Sequence, residues 1–323
     1  EAWANGFPTY TLWWIRNLAA WYRFTGDTAG LARHADYLER VFAHVATRLP
    51  DGVWQNEGAV GSFLDWPTHN NPKAEQAGAQ ALALLAVEDV RFLADALERT
   101  ALANAARDLA EKMRTLRPDA CGTKSAAALL SLSGLREPKE MFAEVLGRNG
   151  HADVSTFYGY YMIEAMSASG EGQRALDTVR DYWGGMLDVG ATSFWEDFKL
   201  SWTNNCSRID ELPVAGKPDI HGDYGEFCYP GFRHSLCHGW SSGPAAWLIN
   251  HVLGIRPFEP GCRRISVKPF LGDLDWAEGA MALPGNACIT VRVERAASGA
   301  PRVTVSAPSG VDVVRETEGG GER

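Results

Sequence analysis

NPKAEQAGAQALALLAVEDVRFLADALE, residues 71–98, reads as one long helix. Asn71 is an N-cap residue, and Pro72 suits the first helical position, where a missing N–H costs no hydrogen bond. An Ala/Leu run then carries the helix to about residue 98. Thr100 starts the next one, which places Leu102, Leu109, Met113 and Leu116 before Pro118 stops it. Two helices joined so tightly form an α/α hairpin.

The same pattern extends in both directions. Upstream, residues 28–49 start at the N-cap Thr28 and place Leu31, Ala35, Leu38, Phe42, Val45 and Leu49 at helical spacing. Residues 9–25 precede them. Downstream, shorter helices are expected over 123–133, 138–147, 154–168, 171–184 and 243–253, punctuated by Gly134, Gly150 and Gly170. About nine helices in antiparallel succession predict a toroid of paired helices. A closed six-hairpin toroid needs twelve, so nine read as a set lacking its first few. The opening residues EAWANGFPTY hold neither an initiating Met nor a signal peptide, so the N-terminus reads as a cut edge and no compartment follows.

Two stretches break the helical texture. Residues 199–235 have no period and are rich in Gly, Pro, Asn and Asp, which predicts a long functional loop. After Pro257, the runs RISVKPF (264–270), ACITVRVER (287–295) and PRVTVSAP (301–308) alternate or are β-branched, with turn residues between them. The predicted fold is therefore mainly α: an incomplete (α/α)6 toroid over 1–258, then a small antiparallel β-sandwich over 259–323.

Composition removes several function classes. A net charge of −9 disfavours nucleic acid, because phosphates would go unneutralised. No window of eighteen apolar residues predicts a membrane span. The six cysteines are widely spaced with no CxxC, so zinc is not expected and buried free thiols are. The disulfide pairing to examine is Cys206 with Cys228 or Cys237. With no phosphate loop, serine elbow or metal-ligand spacing, no cofactor or metal is expected, and carboxylates are the main chemical candidates.

GATSFWEDF (190–198) supplies the first of them. Glu196 follows a glycine-marked helix end and sits between Trp195 and Phe198, where partial desolvation makes a carboxylate a better base. The structural alternative is a Glu salt-bridged at a helix start. Asp65-Trp66, in SFLDWPTHN, is a second acid–aromatic pair, or else a turn Asp with a packed Trp. His238, in SLCHGWSSGP, lies near Trp240; a lone His is usually structural. Trp3, Trp13 and Trp14 cluster near the start, where core packing is the plain reading. Twelve tryptophans are nevertheless many to spend on core alone, and indole faces suit the C–H faces of sugars. Acids flanked by Trp, a nearby His and loops at helix ends together point to a carbohydrate-active enzyme, since glycoside hydrolysis needs carboxylates and little else.

GATSFWEDF, SLCHGWSSGP and GIRPFEPGCRRISVKPFLGDLDWAEG (254–279) resemble bacterial α-L-rhamnosidases of glycoside hydrolase family 78. PTYTLWWI, YRFTGD and FLDWP resemble the same family in the same order. The resemblance implies a six-hairpin toroid followed by a β-sandwich, and inverting hydrolysis of terminal α-L-rhamnosides. It implies that Glu196 is the general base, that His238 contacts the sugar, and that Trp66 and Trp3 wall the sugar subsite, with Asp65 and Trp195 beside them. The family's acidic motif, which ends in Trp-x-Gly-Asp and carries the general acid, has no counterpart here and is expected upstream. The competing readings are another α/α-toroid glycosidase or a lyase, and a non-catalytic carbohydrate-binding module.

Overall fold

The computed structural model describes residues 7–56, 62–205, 207–212, 214–216, 219, 235–296 and 301–315. In chain order its helices are α1 (Pro8–Thr25), α2 (Thr28–Ala32), α3 (Ala35–Thr47), α4 (Pro72–Ala96), α5 (Thr100–Met113), α6 (Lys124–Leu132), α7 (Pro138–Met141), α8 (Gly159–Ala168), α9 (Gly172–Thr178), α10 (Gly184–Asp188) and α11 (Gly243–Trp247). The strands are β1 (Ile255–Pro257), β2 (Arg264–Val267), β3 (Trp276–Leu283), β4 (Ala287–Glu294), β5 (Arg302–Ser306) and β6 (Asp312–Arg315). The expected order, helices and then a small β module, is the observed one. The chain divides into two compact units. One holds Glu1–Ser62, Ala79–Arg117 and Trp247–Arg323, and the other Phe63–Gly78 and Pro118–Ala246.

In the first unit, α1 and α4 are joined by charge as well as packing. Arg16 and Arg23 of α1 each reach Asp89 of α4 at 2.7 Å, and that carboxylate is only 3% exposed. Two partners offset the desolvation that a single buried carboxylate would suffer. Gln80 ties the same helix to the preceding turn: its side chain accepts from the Trp54 N–H at 2.7 Å and donates to the Gly52 carbonyl at 2.9 Å. The helix expected over 28–49 breaks at Arg33–His34 into α2 and α3. Its cap is Asp27 rather than Thr28, the Asp27 carboxylate accepting from the Gly30 N–H at 2.8 Å. A charged acceptor at a helix N-terminus gains from the helix dipole as well as the hydrogen bond.

The β module belongs to this first unit. Helix α1 ends at Gly26, whose φ of 63° is left-handed, and a Cβ there would lie 2.8 Å from the Gly261 Cα. The turn Pro260–Cys262 therefore sits directly on the helix end, with the Cys262 thiol donating to the Phe24 carbonyl at 3.4 Å. The strands form two three-stranded sheets, ordered β1-β2-β6 and β3-β4-β5. In β4, Ile289, Val291 and Val293 alternate inward, and the two sheets share one apolar core through Ile255, Ile265, Val267, Leu283, Ile289 and Val291. The expectation of purely antiparallel strands needs correction. β6 runs parallel to β2, because it arrives from the other sheet and enters alongside β2 in the same direction. Arg264 pairs with Asp312 across that junction at 2.9 Å.

In the second unit, α6 is buried along its whole length from Lys124 to Ser131, and it packs on α8, which packs on α9. Lys124 ends in a hydrogen bond from Nζ to the Gly150 carbonyl at 2.6 Å. Two of the expected helices here widen into π turns, at Phe142–Leu146 and Val179–Trp183, and a third π turn, Leu248–Val252, belongs to the first unit. The helix expected from 154 begins only at Gly159. Val154 to Tyr158 form a largely buried loop in which the Ser155 and Thr156 hydroxyls bond to Asp65 and to the Glu196 carbonyl. Within 199–235, a 3-10 turn covers Leu200–Asn204, and much of the remainder lies outside the described residues. Cys121, Cys237, Cys262 and Cys288 are free thiols, but of these only Cys262 is buried; Cys206 and Cys228 lie outside the described residues.

Candidate active site

Two segments some forty residues apart meet at Glu196. The Glu196 N–H donates to the Ser235 carbonyl at 2.8 Å, and the His238 N–H donates to the Phe194 carbonyl at 2.7 Å. The Ser193 hydroxyl also bonds the Leu236 carbonyl. These links clamp 193–196 to 235–238 like two short strands. The turn that delivers the first segment needs Gly190, which has φ of +89° and sits against Ile209 and Asp210.

Side chains along this segment separate by role. Trp195 is fully buried (0% exposed) and meets Phe198 edge-on at 6.0 Å, with Phe198 itself 1% exposed. The resemblance places Trp195 beside the sugar subsite; its indole is buried and packs edge-on against Phe198. Glu196, in contrast, is half-buried. Its Oε2 accepts the Ser235 N–H at 2.8 Å, while Oε1 has no hydrogen-bond partner among the described residues. Its backbone carbonyl accepts two donors, the Trp240 indole N–H at 2.8 Å and the Thr156 hydroxyl at 2.5 Å. Main chain and carboxylate are thus both fixed, which leaves little freedom beyond the side-chain torsions.

His238 and Trp240 adjoin this arrangement. Their rings lie 4.3 Å apart with a 37° tilt, and the Trp240 N–H approaches the His238 Nδ1 at 3.4 Å. That contact places the acceptor nitrogen at Nδ1, so the neutral ring would carry its proton on Nε2. Trp240 stacks on Phe157, with 5.2 Å between centroids and 4° between planes.

The pair Asp65–Trp66 splits between core and surface. Trp66 is partly exposed and meets Phe63 at 5.0 Å and His69 at 6.2 Å, both edge-on. Asp65, expected beside the sugar, is instead 3% exposed and bonded on both oxygens. It accepts from the hydroxyls of Thr68 at 2.5 Å, Ser125 at 2.6 Å and Ser155 at 2.8 Å, and from the Thr68 N–H at 3.2 Å. Burial pushes its pKa up, and the three hydroxyls and the N–H oppose that push. A carboxylate so enclosed ties together the segments that supply Thr68, Ser125 and Ser155.

Asp197 turns toward a cleft of about 660 Å³, which it lines with His151, Asp153, Ser155, Lys199 and Asn204; Glu196 is not among the lining residues. Beneath it, the Tyr182 hydroxyl donates to the Phe198 carbonyl at 2.5 Å. Burial, and then the charges of Asp197 and Asp65, hold the Tyr182 pKa well above its ordinary value. Trp3 lies outside the described residues. Among the described residues, no cluster of three or more His, Cys, Asp or Glu fits a metal ion. Sequence reading missed Thr156, Phe157 and Ser235, and it used Trp240 only as a neighbour of His238. The aromatic run FYGYY (157–161) was the available signal for the first two.

No family model matches the sequence, and no curated relative does. Solved structures do. A glycoside hydrolase family 78 rhamnosidase from Bacillus sp. GL1 is similar over 97% of this chain and 33% of its own, at 23% identity and a TM-score of 0.76. An α-L-rhamnosidase from Aspergillus terreus is similar over 94% of this chain and 36% of its own, at 15% identity and a TM-score of 0.69. A Streptomyces avermitilis α-L-rhamnosidase, solved with L-rhamnose, covers 95% of this chain with 28% of its own, at 16% identity and a TM-score of 0.67. The chain spans about a third of the length of these solved α-L-rhamnosidases and shares the fold of that portion.

Proposed function

We propose that this chain is part of an inverting glycoside hydrolase that removes terminal α-L-rhamnosyl groups, with Glu196 as general base. The observation that carries this reading is the way Glu196 is held: one carboxylate oxygen on the Ser235 N–H, the carbonyl on Thr156 and Trp240, and Oε1 left as the basic oxygen. The fold likeness to solved α-L-rhamnosidases, one of them solved with L-rhamnose, supports the choice of sugar. In this reading residues 1–258 are the C-terminal part of a six-hairpin (α/α)6 toroid, residues 259–323 are the β-sandwich, and β1 lies at the join.

The chemistry asks little else of this chain. Glu196 Oε1 takes a proton from water as the water attacks the anomeric carbon, and the leaving oxygen is protonated by an acid outside this sequence. An inverting pair leaves about 6.5–9.5 Å between the two carboxyls, room for that water. His238 and Trp66 are the sugar contacts, the first through Nε2–H to a hydroxyl and the second through its indole face. An aryl α-L-rhamnoside, assayed beside a panel of other aryl glycosides with the polypeptide at its natural length, tests the reading. Release of rhamnose should be fastest, and faster turnover of another sugar would sink the assignment.

A further inference from the structure

We infer that Asp65 is a positioning residue for Glu196, acting through the consecutive residues Ser155, Thr156 and Phe157. The inference rests on the proposed role of Glu196 and adds how that residue is held. Each of the three residues makes one link. Ser155 donates its hydroxyl to Asp65 at 2.8 Å and accepts the Tyr158 N–H at 3.1 Å, which fixes the loop ahead of α8 from both sides. Thr156, 3% exposed, donates its hydroxyl to the Glu196 carbonyl at 2.5 Å. Phe157 stacks on Trp240, whose indole N–H is the other donor to that same carbonyl. Both donors that set the Glu196 main chain therefore trace back to one loop, and the side chain that pins this loop at its start is Asp65.

The cost of burying an acid here supports the same conclusion. An apolar side chain at 65 would fill the core without any desolvation. Instead, hydroxyls from three separate places, Thr68, Ser125 and Ser155, converge on one carboxylate. A fully satisfied buried polar network rigidifies what it joins and selects one arrangement. What it joins here is the turn after Asp65, the start of α6 and the loop that holds the base.

Thr156→Val, Thr156→Ser and Asp65→Asn, made in the polypeptide at its natural length, test this. Thr156→Val should lower kcat roughly tenfold to a hundredfold with KM little changed, since a small displacement of a catalytic group costs rate rather than binding. Thr156→Ser keeps the hydroxyl and should restore kcat. Asp65→Asn should show the same split between kcat and KM with a smaller loss. The Trp240 indole N–H resonance gives a reading that needs no turnover: it should move in Thr156→Val and Asp65→Asn and return in Thr156→Ser. Unchanged kcat and an unmoved resonance in folded Thr156→Val and Asp65→Asn would overturn the inference. So would a Thr156→Ser protein as impaired as Thr156→Val. If the wild type hydrolyses no glycoside, the functional reading fails, and the resonance alone decides whether the loop positions Glu196.

Discussion

The indole of Trp240 lies parallel to the ring of Phe157, 5.2 Å away, and its N–H reaches the Glu196 carbonyl at 2.8 Å. One side chain thus joins a ring stack to the main chain of the candidate base. Trp240→Phe keeps an aromatic ring for the stack and removes the donor. The expected stability loss is about 1 kcal/mol, because Thr156 still satisfies the carbonyl. The expected fall in kcat is about tenfold, the loss of one orienting contact. Urea unfolding and steady-state kinetics check the two together, and a stability loss without any change in kcat would separate Trp240 from the base.

Asp65 gives a pH-dependent prediction. Burial raises its pKa above the ordinary value of 3.8, so the folded protein keeps this proton to a higher pH than the unfolded chain does. Its contribution to stability is therefore full below the unfolded value and is lost as pH rises through the folded one. Asp65→Asn cannot titrate at this position. The stability of the wild type relative to Asp65→Asn should accordingly be greatest in acid, below the ordinary value of 3.8, and decline as the pH rises above it through the raised folded value. Urea unfolding of both proteins across that range checks it. A relative stability that grows with pH would contradict the raised pKa.

These residues also mark how far the sequence could be read. Helices such as α4 were legible because cap, proline and periodicity all agree within one segment. The break at Arg33–His34 was not, since the apolar spacing runs straight through it. Val154 to Tyr158 looked helical, but the hydrogen-bonding groups there are taken by Asp65 and Glu196, partners 90 and 40 positions away. The parallel pairing of β2 with β6 is equally remote in sequence. For Trp195 and Asp65, residue type and spacing located an acid–aromatic pair without telling which member faces inward. Only the packing of distant segments decides that.

Gly26 should resist substitution for reasons that have nothing to do with chemistry. Its φ of +63° disfavours any L side chain, and the Gly261 Cα would lie 2.8 Å from an added Cβ. Gly26→Ala should destabilise the first unit by about 1–3 kcal/mol, combining backbone strain with a displaced turn. Thermal unfolding of the variant checks this. An unchanged midpoint would mean that the turn Pro260–Cys262 moves away without loss.

The last prediction concerns the chemistry of Glu196 itself. Glu196→Gln keeps the size and the acceptor for the Ser235 N–H while removing the basic oxygen. In an inverting reaction the rate should fall about 10²–10⁴-fold, the range of general-base catalysis, with sugar affinity largely kept. Asp197→Asn is the control: Asp197 borders the cleft with Lys199 and Asn204, and its loss should matter far less. Azide should restore turnover to Glu196→Ala, because a small anion can attack the anomeric carbon without a base, and the product should have inverted configuration. NMR of the first-formed sugar reads the stereochemistry directly. If Glu196→Gln turns over normally while Asp197→Asn is dead, the base is the other acid of the pair. A first-formed sugar that retains its configuration rules out inversion, whatever the two variants do.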